Sequence, residues 1–236
     1  MNLHIPDKKE WFHLWIFDSS NVITNTDAAL QFLSEEEIAR SKLFLNKADS
    51  LRYITAHYFL RVILSKYVEI PPAEIKFSKG INDKPYLKNQ LPLPLYFNLS
   101  YRDNIFLTGI SNCEFIGVDV EKIRNIDDIH SFTANYFSKK EREEIEMQIN
   151  KQEQLSMLFK FWTMKEAVIK ALADGFTKPL PNYDLHSFLN LPISIPNFDN
   201  ENSWTIQQIK IKSGFKGAFA LKAKNIYTET FKYAGH

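Results

Sequence analysis

The sequence predicts an α+β fold made of two similar α/β halves, and three observations point there. Short apolar-alternating runs, which mark strands, are interspersed with longer segments whose apolar residues recur at helical spacing. Their order is strand, helices, strands and then helices, strands, with a junction near residues 111–116. At 236 residues the chain is long enough to bury a substantial core, as one large domain or two small ones. There is no sequence repeat and no low-complexity linker. The halves, residues 1–112 and 113–236, are therefore expected to pack tightly, as a pseudo-twofold pair. A seam between two packed halves is a common place for a ligand cleft.

The first half opens with Trp11 to Phe17, apolar at nearly every position, as a strand buried on both faces would be. Ser34-Glu35-Glu36-Glu37 is a capping-box pattern, predicting a helix to about Leu45. Asp49 is the expected cap of a second helix, in which Ile54, Tyr58, Phe59, Val62 and Ile63 form the apolar face. Pro71-Pro72 is its expected end. Short strands follow at Glu74–Ser78, Pro85–Lys88 and Leu95–Ser100, with a turn at Ile81–Asp83. Ile105–Ile110 and Phe115–Val120, joined by Ser111-Asn112, read as a hairpin.

Beyond Lys122 the pattern turns helical. Ser138-Lys139-Lys140-Glu141 is a second capping box, opening a charged helix through Ile149. Gln154 to Ala173 is a helix stopped by Gly175. Its apolar residues Leu158, Phe161, Trp162, Val168, Ile169 and Leu172 cover more than one stripe, so burial on several sides is expected. Leu180 to Ile195 is punctuated by prolines and irregular. Trp204–Ile211 and Phe215–Ala223 read as a hairpin around Lys212-Ser213-Gly214.

Composition narrows the function. The 29 basic residues nearly cancel the 28 acidic ones, so no global field draws nucleic acid or an anionic membrane. Aromatics make up 14% of the chain, which favours a packed globule over disorder. A single cysteine, Cys113, excludes an internal disulfide and argues against a thiolate metal site. None of the six histidines pairs at a metal-ligand spacing. Met1 to Glu10 is polar and no apolar run approaches membrane-spanning length, so a soluble, cytoplasmic protein is expected.

Two stretches carry the chemistry. In Gly117-Val118-Asp119-Val120-Glu121-Lys122 the acids alternate with valines, which puts both carboxylates on one face of a strand. Their Cα atoms are then roughly 7 Å apart. In Trp162-Thr163-Met164-Lys165-Glu166, the glutamate lies on a helix with Lys170 one turn along the same face. Taken singly, these residues fit a wet edge strand and a surface ion pair. With the helix packed over the strand, three acids and a lysine converge, a set suited to a hard cation on oxygen ligands with the lysine left for phosphate.

These motifs resemble the 4′-phosphopantetheinyl transferases of the Sfp-type, surfactin-synthetase-activating branch. Gly117-Val118-Asp119-Val120-Glu121 is similar to the family's G-[IV]-D-[IV]-E, and Trp162 to Lys170 to its W-[ST]-x-K-E-[AS]-x-x-K. Phe97-Asn98-Leu99-Ser100 resembles its F-N-[IL]-S, Lys84-Pro85 the end of its G-K-P loop, and Tyr136-Phe137-Ser138 with Glu141 the segment between the acidic motifs. The resemblance spans roughly Leu33 to Leu180. It implies the two-half fold of that family, a monomer, and transfer of 4′-phosphopantetheine from coenzyme A to a serine of an acyl or peptidyl carrier protein. Asp119, Glu121 and Glu166 would hold Mg²⁺, and Glu166 would also take the serine proton. Lys170, Lys84, Pro85, Ser100 and Arg40 would line the coenzyme site.

The sequence departs from the family at two places. The usual His-Ser after the serine is Tyr101-Arg102, so the histidine's phosphate contact falls to one of these, Arg102 offering a charged fork. The glycine before Lys-Pro is Asp83, an acid beside the implied phosphate site or a turn initiator. Trp162 is expected in the core, Lys165 to snorkel to solvent, and Lys139, Lys140 and Phe137 to lie on the carrier-facing surface. Two other readings stay open at this point: another Mg²⁺-dependent phosphoryl enzyme, such as a nuclease, and a non-catalytic relative that binds coenzyme A or a carrier.

Overall fold

The computed structural model of the protein describes residues 3–6, 9–21, 26–173, 180–182, 184–189 and 204–233. Strand β1 (Trp11–Asp18) is the apolar run, and its place explains its composition: it lies inside a four-stranded sheet, covered on both faces. A short helix, α1 (Thr26–Leu30), precedes α2 (Glu35–Ser41). The α2 capping box is complete: Glu37 N–H donates to Ser34 Oγ, and Ser34 N–H donates back to the Glu37 carboxylate. The helix stops at Ser41, short of Leu45, because Leu43 and Leu45 have no core to face and stand in solvent.

Helix α3 (Lys47–Val68) is capped by Asn46 and not by Asp49. Asp49 instead lies in the first turn, paired with Arg52. The helix ends on Glu69 in the left-handed conformation, ahead of the two prolines. Its buried Leu60, Ile63 and Leu64 pack on Trp11, Trp15, Phe97 and Ile110 of the sheet.

Strands β2 (Phe77–Lys79) and β3 (Pro85–Leu87) form a small ribbon. Strands β4 (Tyr96–Arg102) and β5 (Ile105–Ser111) pair antiparallel in the large sheet. The hairpin expected between β5 and the next strand, β6 (Ile116–Lys122), does not form. Both edges of β5 are already taken, by β4 and by β1, so β6 leaves to begin a second sheet.

The second half repeats the plan of a long helix on an antiparallel sheet. Helices α4 (Ile129–Tyr136) and α5 (Lys139–Glu146) lead to α6 (Lys151–Leu172), which has the same 22-residue length as α3. The Ser138–Glu141 capping box of α5 is complete. Helix α6 ends on Ala173 at φ +54°; the expected stop, Gly175, lies outside the described residues, as do residues 190–195. Strands β7 (Thr205–Ile209) and β8 (Phe215–Leu221) form the expected hairpin, with Gly214 at φ +83° in the turn. The sheet order is β6-β8-β7. The last strand, β9 (Tyr227–Tyr233), crosses back to pair parallel with β1.

As expected, α6 is buried on several sides. Met164, Val168, Ile169 and Ala171 pack on the second sheet, and Leu158, Phe159 and Phe161 pack on Phe137, just past the end of α4, and on Ile145 of α5. Among the described residues no helix is long and apolar enough to cross a membrane.

Candidate active site

The site forms where β4, β6 and α6 meet. Strand β6 is an edge strand, so its outward N–H groups at Val118 and Val120 need acceptors from elsewhere. Side chains of β4 supply them: Val118 N–H donates to Asn98 Oδ1 at 2.8 Å and Val120 N–H to Ser100 Oγ at 3.3 Å. The two halves are thus stitched by two polar side chains of the Phe97–Ser100 motif. Asn98 is a member of the site's framework that the sequence reading quoted but gave no role.

Alternation then decides what faces what. Ile116, Val118 and Val120 point into the core between the sheets. Gly117, Asp119 and Glu121 point toward α6, which approaches so closely that a Cβ on Gly117 would sit 1.9 Å from the Ala167 carbonyl oxygen. That approach delivers Lys170 to Asp119. Lys170 Nζ lies 2.6 Å from Asp119 Oδ1 and 3.1 Å from Ser100 Oγ, and Ser100 donates to the same Asp119 oxygen at 3.0 Å.

The remaining carboxylate oxygens are poorly provided for. Asp119 is 4% exposed, and its Oδ2 has no hydrogen-bond partner. Glu121 Oε2 accepts no hydrogen bond either, with Arg102 Nε the nearest cation at 3.5 Å. Burial, then the neighbouring Asp119 charge, pushes the Glu166 carboxyl up to about 7. The same two causes raise Glu121. Glu121 and Glu166, two of the three carboxyls at this seam, therefore lack sufficient positive charge around them. Among the described residues, no three His, Cys, Asp or Glu side chains are already gathered as a metal cage.

The residues implied for the coenzyme are divided by the same alternation. Ser100 and Arg102 face the acids, whereas Tyr101 turns to the α3 side, packing with Phe17, Phe59 and Phe106. Arg40 is exposed; burial raises the Tyr101 hydroxyl, and Arg52, a cation the sequence reading did not single out, and then Arg40 oppose that rise. Pro85 is exposed at the start of β3. Asp83 adopts φ +60°, the left-handed backbone for which a glycine is the easy choice, and its side chain turns outward to Lys79. Lys84 turns inward, donating to the carbonyls of Ile116 and Ala171 at 3.1 Å each.

Two expectations fail on burial. Lys165 does not snorkel. It is 0% exposed, 2.8 Å from the equally buried Glu141, and donates to the Leu180 carbonyl at 3.0 Å. It faces α5 because it lies on the side of α6 away from solvent. Phe137 is also buried, beneath Lys165, and offers no surface to a partner. Lys139 and Lys140 are exposed. Trp162 is half-buried among Phe132, Tyr136 and Phe137, a packing residue as expected.

Comparison with known proteins bears directly on this arrangement. The family model for the 4′-phosphopantetheinyl transferase superfamily matches residues 115–222, and that for the N-terminal part of a 4′-phosphopantetheinyl transferase matches residues 22–111. The chain is 30% identical over 167 residues to the 4′-phosphopantetheinyl transferase HetI of Nostoc sp. (strain PCC 7120), covering 70% of each protein. The chain belongs to the 4′-phosphopantetheinyl transferase superfamily. It is also 25% identical to the 4′-phosphopantetheinyl transferase Sfp of Bacillus subtilis (strain 168), over 80% of this chain and 82% of that one. Against the 4′-phosphopantetheinyl transferase gsp of Aneurinibacillus migulanus the identity is 30%, over 72% and 64%. The two family models meet at the β5–β6 connection, where the chain passes from one sheet to the other.

Proposed function

We propose that the protein transfers the 4′-phosphopantetheine group of coenzyme A to a serine of an acyl or peptidyl carrier protein, leaving 3′,5′-ADP. The observation that carries this reading is the seam itself: Asp119, held by Lys170 and Ser100, with buried carboxylate oxygens on Asp119 and Glu121 that have no hydrogen-bond partner. Unpartnered oxygens of this kind fit a hard cation, and Asp119, Glu121 and Glu166 are the residues that would hold Mg²⁺. When bound, the ion supplies charge neutralisation for a pyrophosphate.

The chain's own groups account for the rest. The serine hydroxyl attacks phosphorus, the phosphorus–oxygen bond to the leaving 3′,5′-ADP breaks, and Glu166 takes the serine proton. A serine hydroxyl ionises poorly in water, so a carboxylate positioned beside it is the group suited to accept its proton as attack proceeds. Lys170, anchored by its contacts with Ser100 and Asp119, is placed to donate a hydrogen bond to a phosphate oxygen. Arg102, Ser100, Pro85 and Arg40 border the coenzyme, with Arg102 in place of the missing histidine contact, whereas Tyr101, packed on the other face of β4, is not one of its contacts. Lys139 and Lys140 lie toward the carrier. With both halves in one chain, the protein is proposed to act as a monomer.

The test is to mix the protein with coenzyme A, Mg²⁺ and a panel of apo carrier proteins and weigh the carriers by intact mass spectrometry. The expected result is one added phosphopantetheine arm, lost with chelator and in Asp119→Ala and Glu166→Ala proteins that remain folded. Full transfer by either variant would overturn the assignment.

A further inference from the structure

Lys84 lies in the turn between β2 and β3, yet its ammonium reaches the far half of the molecule. It bonds the carbonyl of Ile116, at the start of β6, and that of Ala171, in the last turn of α6. Carbonyls in a helix's last turn lack intrahelical partners and carry the negative end of its dipole, so a cation there is well placed. The neighbouring Asn82 adds a third tie, donating to the Ala173 carbonyl at 2.6 Å. Asn82 makes this reach from the left-handed region, at φ +50°.

The two carbonyls held by Lys84 flank the reacting groups. Ile116 immediately precedes Gly117, where β6 and α6 come closest, and Asp119 follows. Ala171 immediately follows Lys170. One side chain therefore fastens together the two backbones that carry the Asp119–Lys170 pair, at the end where they touch. Burial pushes the Lys84 ammonium down to about 8, opposed in part by the charge of Glu114. A desolvated cation whose hydrogen bonds go to backbone carbonyls is costly as mere packing.

We propose that Lys84 is a positioning residue of the transfer site, clasping β6 to α6 so that Lys170 meets Asp119, rather than a ligand of the coenzyme's phosphates. This rests on the transferase reading above. The proposal and that reading are separable by experiment. Lys84→Met, Lys84→Gln and Lys84→Arg are compared with wild type using coenzyme A and 3′-dephospho-coenzyme A, with hydrogen–deuterium exchange followed at residues 116–118 and 171–173.

The clasp predicts that Lys84→Met lowers kcat by about 10- to 100-fold with both coenzymes, as expected for a misplacement near 1 Å, with the ratio of their KM values unchanged. Exchange quickens at both segments, and Lys84→Arg, which can still reach two carbonyls, recovers most of the rate. If Lys84→Met does not fold, Lys84→Gln carries the same comparison. A KM that rises for coenzyme A alone, removing its preference over the dephospho form, would overturn the proposal in favour of phosphate binding. Unchanged exchange with wild-type kcat would overturn it outright. Wild-type protein that transfers nothing to any carrier overturns the reaction, whereas the exchange data still judge the clasp.

Discussion

Replacing Gly117 by alanine would place a Cβ 1.9 Å from the Ala167 carbonyl oxygen and 2.7 Å from the Ala171 amide nitrogen. Both are main-chain atoms of α6, so no side chain can swing aside to make room. Ordinary contact begins at 3.4 Å, which means strand and helix must part by about 1.5 Å here. Overpacking a core costs about 1–3 kcal/mol, and a clash with backbone belongs at the upper end. The functional effect is larger. The displacement falls between Asp119 and Lys170, whose contact is 2.6 Å, and a shift near 1 Å costs about 100-fold in rate. Urea denaturation of Gly117→Ala should show a lower midpoint with an unchanged slope. Transfer kinetics at low temperature, where circular dichroism reports a folded protein, should show the loss in kcat. Wild-type kcat in a protein destabilised by less than about 0.5 kcal/mol would refute the view that this close approach sets the site.

Other consequences follow from the same contacts. Lys165→Met leaves Glu141 buried without its cation and should cost about 3–5 kcal/mol, part of which a second change, Glu141→Gln, which is neutral and keeps an acceptor oxygen for the Ser138 and Leu185 amides, restores in denaturation measurements. Asn98→Ala strands the Val118 N–H at the seam and should cost about 1–3 kcal/mol, with exchange quickening at β6. Against the cost of burial, bonds from His57, Arg61 and the Ser34 amide hold Glu37 down to about 2. A depressed carboxyl stabilises the fold above its unfolded value of 4.5 and loses that contribution as pH falls toward 2. Glu37→Gln should therefore lower stability by about 3 kcal/mol at pH 7, with the difference from wild type closing between pH 4.5 and 2 in urea titrations.

Much of the local structure was legible because it depends on neighbours in sequence. Both capping boxes form from residues three apart, and the β7–β8 hairpin depends on the turn that Gly214 permits. What escaped depends on partners far along the chain. Ile105–Ile110 and Phe115–Val120 look like a hairpin locally, but β1 and β4 have already filled the edges of β5. Lys165 has the stem of a snorkelling residue, and only the packing of α5 against α6 turns it inward to Glu141. Lys84 sits in a short turn whose sequence says nothing of the helix end it reaches.

The division at the site is equally physical. The sequence alone determined that Asp119 and Glu121 share a face, that Glu166 and Lys170 share another, and to which family such a pairing is similar, because strand and helix periods are properties of the backbone. Tertiary structure decided which of these groups touch. Gly117 lets the helix approach, Asn98 and Ser100 satisfy the strand's free amides, and Lys170 closes on one oxygen of Asp119 while the other stays unpartnered. Distances of that kind come from the packing of two halves, and no single stretch of sequence contains both sides of the contact.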